Sequence, residues 1–274
     1  MQQQLPTGRL KAKRRSFEEV VRDLRHAVSS LIRHRPANGG HIANALGTGF
    51  FVSPTVFLTC HHVINGNTAP HKDGDNYHLV GNLTGSAGIV HEIADGTVGK
   101  NIHLFPDSDL ALLIVESKSD QAYAALEYGD FSEGREIGVA GYPIPILLSI
   151  EGELKYDSLI FRVAKGVVTA RYETNLELDQ GQTLASIPVI EVNSLFVPGN
   201  SGGPIFDAST GRVLGFVVGY QTVKIRERVE EATLIQNCPE GMEKRYIENV
   251  NAFYSLGIRL SRVRSHLETF GVPL

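Results

Sequence analysis

Apolar and polar positions follow two different periods along the chain. Ser16-Phe17-Glu18-Glu19 has the form of a capping box, with Ser16 as N-cap and Glu19 three residues on. Phe17, Val20, Val21, Leu24, Val28, Leu31 and Ile32 then recur at helical spacing, predicting one amphipathic helix over 16–35 that ends before Pro36. From Gly47 the period shortens. GFFVS, VFLTC, YHLVG, GIVHE and LALLIVE form one set of short apolar or alternating runs. REIGVAG, LIFRVAKGVVTA, TLASIPVIE, PIFD and RVLGFVVGYQTV form a second. Short runs at close intervals, punctuated by Gly, Pro and Asn, predict antiparallel barrels or sandwiches.

An acidic, glycine-containing seam near Tyr128 to Glu136 separates the two sets. The expected division is a flexible basic tail over 1–15, the helix, a first β-barrel over 45–127 and a second over 128–274. The charged stretch 224–248 is too long for a hairpin turn and predicts an excursion from the second barrel. After AFYSLGIRL comes a last helix, with Ser261 as its expected cap, Val263, Leu267 and Phe270 on one face, and Gly271 as its stop.

Bulk properties narrow the function classes. With 26 basic and 30 acidic side chains, the net charge of −4 gives no global field toward nucleic acid. Two cysteines, Cys60 and Cys238, are too few for a disulfide framework. The N-terminus lacks the apolar core of a secretory leader, and no run has the length of a membrane span. The expectation is a cytoplasmic protein with no membrane and no nucleic-acid partner.

Three local signals carry chemistry. FLTCHHVI (57–64) puts histidines at the end of a strand. DSDLALLIVE (107–116) sets an aspartate at the start of the most apolar strand. GNSGGP (199–204) holds Ser201 among glycines that let backbone N–H groups converge. Each alone has a bland reading as a structural histidine, a turn cap or a plain turn. Together they supply what acyl transfer needs: a hydroxyl, an imidazole to take its proton, and a carboxylate to fix the ring. Each backbone donor to a developing oxyanion can contribute about 3 kcal/mol in the transition state.

In this order, GTGFFVSPTVFLTCHHVI, DSDLALLIV, GYP (141–143), RVAKGVVTA, PGNSGGPIFD, VLGFVVGY and SLGIRL resemble the trypsin-like serine peptidases, and among them the disulfide-poor bacterial HtrA-like branch. The resemblance spans roughly residues 45–270 and implies an all-β fold of two six-stranded barrels with the site between them, flanked here by the N-terminal and C-terminal helices. It implies His62 rather than His61 as the base, Asp109 rather than Asp107 as its partner, and Ser201 as the nucleophile. It further implies an oxyanion hole from the N–H groups of Gly199 and Ser201, and a primary pocket with Leu195 at its base, Phe196 beside it and Val218, Gly219 and Tyr220 on its wall. With no acid at Leu195, a small or apolar side chain is expected there, and the substrate backbone is expected to add along Val218–Tyr220.

The chain also departs from the pattern. Asn200 stands where digestive relatives carry the aspartate that pairs with a new N-terminus, and no PDZ-like domain is expected. Regulation is thus left to the N-terminal helix, the 224–248 excursion or another protein. Neither a zinc motif nor a phosphate loop occurs, so no metal and no cofactor are expected. The expected partner is a protein or peptide substrate. Two rivals stay open: a protease fold kept as a binding module with a closed site, and a protease that cuts only itself or one partner.

Overall fold

The computed structural model describes residues 14–37, 40–66, 70–82, 87–93, 96–116, 120–143, 147–150, 153–156, 159–178, 183–194, 196–226 and 248–273. A short helix, α1 (Phe17–Leu24), leads through a 3-10 turn at Arg25–Ala27 into strands β1 (Val28–Ala37), β2 (Gly40–Ser53) and β3 (Val56–Cys60). One helical turn, α2 (His61–Ile64), precedes β4 (Asn76–Asn82), β5 (Ala87–Ile93), β6 (Ile102–Phe105) and β7 (Leu110–Ile114). The second half holds β8 (Glu136–Gly141), a hairpin of β9 (Leu147–Ile150) and β10 (Glu153–Tyr156), then β11 (Arg162–Glu177) and β12 (Thr183–Val192). It closes with β13 (Pro204–Asp207), β14 (Val213–Arg226), β15 (Glu248–Arg259) and the helix α3 (Arg264–Thr269).

The first half makes a seven-stranded sheet in the order β5-β4-β1-β2-β3-β7-β6, and the second a closed six-stranded barrel, β11-β12-β15-β14-β13-β8. The expected double-barrel all-β architecture is therefore present, although its first unit carries seven strands rather than six. Residues 120–128 cross between the units and are stitched to both: the Ala124 N–H donates to Phe51 C=O at 2.8 Å and the Glu127 N–H to Val213 C=O at 2.8 Å.

The helix expected over 16–35 is corrected. The capping box forms, with the Ser16 hydroxyl accepting from the Glu19 N–H and the Glu19 carboxylate accepting from the Ser16 N–H, but the α-helix stops at Leu24. Val28–Ala37 is a strand held between β2 and β4. Val28 and Ile32 are β-branched and stiff at χ1, and Ser29 and Ser30 favour backbone bonding outside helices. Two ladders then outweigh what remains of helical spacing, so the first β unit begins at Val28, not at residue 45. Within α1 only Val20 and Leu24 are fully buried, each contributing about 1.5–3 kcal/mol by leaving water. Phe17 stacks on Phe206 of β13 at 6.1 Å between ring centroids, fixing the helix to the second barrel.

At the C-terminus, Ser261 does not cap α3. It lies in a 3-10 turn, Leu260–Arg262, and Val263 takes the N-cap position without a side-chain bond. Val263 and Leu267 are buried as expected, and Gly271 has φ +67°, a left-handed stop that favours glycine. Of the basic tail, 1–13 lies outside the described residues, as do 227–247 of the charged excursion and Cys238 with them.

Candidate active site

Burial and local turns place each polar group. β3 is buried along its whole length and delivers Cys60, His61 and His62 to the start of α2. β6 and β7 pair as a hairpin whose tight link, Pro106–Ser108, ends in Asp109 with φ +44°. Asp is among the few non-glycine residues that tolerate this left-handed conformation, and here it turns the carboxylate inward. Asp109 is fully buried. Its Oδ2 lies 2.7 Å from His62 Nδ1, its Oδ1 accepts the His62 N–H at 2.9 Å, and its backbone C=O accepts the His61 N–H at 3.0 Å. One aspartate thus orients both the ring and the backbone of His62, whose side chain stays 18% exposed and so open to the cleft.

His61 points elsewhere. It is buried, and burial lowers its pKa first of all, Asp109 pulling it up and His62 down. Cys60 Sγ donates to Val217 C=O at 3.2 Å, and burial pushes its thiol well up, reinforced by the charge of Asp109. Sγ and the donor atoms of His62 and Asp109 lie within 4.8 Å of one another. Metal binding there would need the thiolate that burial suppresses and the carboxylate that His62 already uses.

Ser201 stands on the other half of the molecule. Val197-Pro198-Gly199-Asn200 forms a β-turn closed by the Asn200 N–H to Val197 C=O at 3.1 Å, with φ +95° at Gly199. Proline second and glycine third is the composition of a type II turn, which needs positive φ at its third residue. After Ser201 the Gly202 N–H donates to Val217 C=O and the Gly203 N–H to Asn200 C=O, both at 2.8 Å. Gly202 has φ +84°, and a Cβ there would sit 2.2 Å from the Thr48 carbonyl oxygen. Only glycine fits so close an approach. Among the described residues, the Gly199 and Ser201 amides take no part in these bonds.

A cleft of ≈ 450 Å³ brings the two halves together, with His62, Gly199, Ser201, Phe196, Val218 and Gly219 in its wall. Phe196 and Val218 are nearly fully buried, and Leu256 adds a further apolar surface. Leu195 lies outside the described residues. Tyr220 is placed by its backbone alone, paired in register with Ser255 across β14 and β15.

Two residues of this region were not singled out in the sequence. Thr48 lies between Gly47 and Gly49, and its hydroxyl reaches Gly199 C=O at 2.7 Å. A small polar residue between glycines at the start of the first apolar run was the only available signal. Arg33 also lines the cleft, though only 1% of its surface is exposed. It belongs to a buried charge cluster in which Asp75 accepts two 2.7 Å bonds from Arg35 and lies 3.9 Å from Arg33 Nε. Read as part of a helix, Arg33 gave no such signal.

A family model described as the trypsin-like peptidase domain matches residues 47–216. The uncharacterized protein y4bJ of Sinorhizobium fredii is 31% identical over 176 residues, 64% of this chain and 22% of that protein. Among solved structures, the Rv3671c protease of M. tuberculosis in its active form superposes with a TM-score of 0.56 at 16% identity, covering 100% of this chain and 93% of that one. The HtrA-type protease AlgW with a decapeptide gives 0.55 at 17% identity, covering 93% and 67%. A variant of AlgW with a tripeptide gives 0.56 at 17%, covering 93% and 64%. At these identities the structures establish the shared fold.

Proposed function

Because the chain belongs to the trypsin-like peptidase domain family, we propose that it is a serine endopeptidase. Ser201 attacks the scissile carbonyl, His62 takes its proton and later returns it to the leaving amine, and Asp109 fixes the ring and stabilises the imidazolium. The observation that carries this reading is the 2.7 Å contact of Asp109 Oδ2 with His62 Nδ1, at a cleft whose wall holds both His62 and Ser201. The N–H groups of Gly199 and Ser201 receive the oxyanion, and the glycine-only turn geometry supports that role.

The side chain before the scissile bond is small or apolar and enters beside Phe196, Val218 and Gly219. Apolar lining supports this preference. An added Cβ at Gly219 meets nothing within 4 Å, so open space remains there for a substrate backbone. The substrate is a specific protein or peptide. The relative from Sinorhizobium favours a bacterial source, and the two-cysteine composition favours a reducing cytoplasm. Among the described residues, no helix is long and apolar enough to cross a membrane.

Labelling with a fluorophosphonate probe tests the core of the proposal. The wild type is expected to label, and Ser201→Ala and His62→Ala are expected not to. Absence of labelling in the wild type would favour a closed binding module, and labelling without casein turnover would favour a protease restricted to one target.

A further inference from the structure

We infer that Thr48 is a positioning residue for the oxyanion turn, an inference that rests on the serine peptidase reading above. Thr48 belongs to β2 of the first unit, yet it bonds both flanks of the nucleophile in the second. Its hydroxyl donates to Gly199 C=O at 2.7 Å and accepts the Tyr142 N–H at 2.8 Å. Its own N–H donates to Ser201 C=O at 3.0 Å, and its C=O accepts the Thr59 hydroxyl at 2.7 Å. Thr48 is fully buried.

Hydrogen-bond accounting fixes the direction of every one of these bonds. A backbone N–H can only donate and a carbonyl can only accept, so the single hydroxyl proton of Thr48 is committed to Gly199. The peptide planes that follow Gly199 and Ser201 are therefore both held on one residue. With the plane after Gly199 pinned, the backbone angles of Gly199, including its φ of +95°, set where its N–H points. The donor proposed for the oxyanion is thus aimed by a side chain of the opposite β unit. Gly202 makes the approach possible, since any side chain there would collide with the Thr48 carbonyl. A donor aimed in advance costs no reorganisation when charge develops, so its benefit appears in the transition state rather than in substrate binding.

Steady-state kinetics on Thr48→Val and Thr48→Ser test this. Thr48→Val, which keeps shape and loses the hydroxyl, is expected to lower kcat about 10- to 100-fold with KM changed less than about threefold. Thr48→Ser, which keeps the donor, is expected to remain within about threefold of wild type. Affinity for a peptide boronic acid, which forms a tetrahedral adduct on the serine, should fall in parallel with kcat, whereas binding of an uncleaved peptide on a Ser201→Ala background should not. Thr48→Cys, with similar volume and a weak donor, gives an intermediate point should the valine variant fail to fold. Unchanged kcat in Thr48→Val, or equal losses in the serine and valine variants, would overturn the inference. If the wild type labels with fluorophosphonate, that failure belongs to Thr48 alone. If it does not label, the peptidase reading falls and this one with it.

Discussion

Two carboxylates, one in each β unit, are taken out of water in different ways. Asp207, at the end of β13, is saturated. Its Oδ2 accepts the Arg135 Nε–H at 2.7 Å, and its Oδ1 accepts the N–H and hydroxyl of Ser209 and of Thr210 at 2.7–3.0 Å. Arg135 is in turn held by Glu127 through two bonds. Asp109 is more deeply buried, and its carboxylate accepts one backbone N–H of His62, meets a ring nitrogen of His62 and lies beside the buried Cys60 thiol. A carboxylate matched by a permanent cation and four donors is settled in every state of the protein. One matched by an imidazole gains most when that ring becomes charged, as the proposed acyl transfer requires. The contrast separates a joint that holds the fold from the carboxylate proposed to serve acyl transfer.

Asp109→Asn is the strongest way to sharpen the contrast. Asparagine tolerates the same left-handed backbone, so the fold should survive, while the wrong tautomer of His62 lowers kcat about 10⁴-fold. Thermal unfolding within a few degrees of wild type, alongside that loss, is the expected pair of results. A protein that keeps its activity would break the comparison.

The converse substitution, Asp207→Ala, should cost about 2–3 kcal/mol of stability by leaving Arg135 and the 209–210 turn without their acceptor. Activity per folded molecule should be nearly unchanged, as judged by active-site titration before and after partial denaturation.

Acid unfolding gives a third test, a little smaller in size. Burial alone would raise the pKa of Asp207, but Arg135 and the donors of Ser209 and Thr210 outweigh it and bring it down to about 2. The unfolded chain binds that proton near pH 3.9, so the group contributes about 2 kcal/mol above that pH, lost as the pH falls toward 2. In Asp207→Asn this segment of the stability curve should flatten. An unaltered acid limb would show that other carboxylates govern it.

Last and smallest is Ser16→Ala, expected to cost about 1 kcal/mol through the lost helix cap. The neighbouring Arg15 N–H donates to Ser209 C=O at 2.8 Å, so α1 is tied to the turn that holds Asp207. A double-mutant cycle of Ser16→Ala with Asp207→Ala should therefore show coupling, and simple additivity would detach the helix from the saturated joint.

How much of this was legible beforehand follows from the range of each interaction. The capping box of α1 spans four consecutive residues and reads directly, as do the strand runs with their period of two. His62, Asp109 and Ser201 were legible as candidates because each sits in a compact segment whose residue types suit one chemistry, and their order resembles a known family. Val28–Ala37 misled because its apolar residues fit helical spacing; only the two neighbouring strands that pair with it decide otherwise. Ser261 looked like a cap by position, but the 3-10 turn at Leu260–Arg262 takes that place.

By itself, then, the sequence determined the local matters: which segments alternate, where glycine must accept positive φ, and which three side chains could do acyl transfer. These depend on backbone sterics and side-chain chemistry that act over a few residues. The tertiary structure alone decided that Val28 starts a strand, that each oxygen of Asp109 meets His62, and that Thr48 reaches from β2 to the turn of Ser201, 153 positions on. Such contacts arise when burial forces each polar group to find a partner in three dimensions, and no local pattern encodes who that partner is.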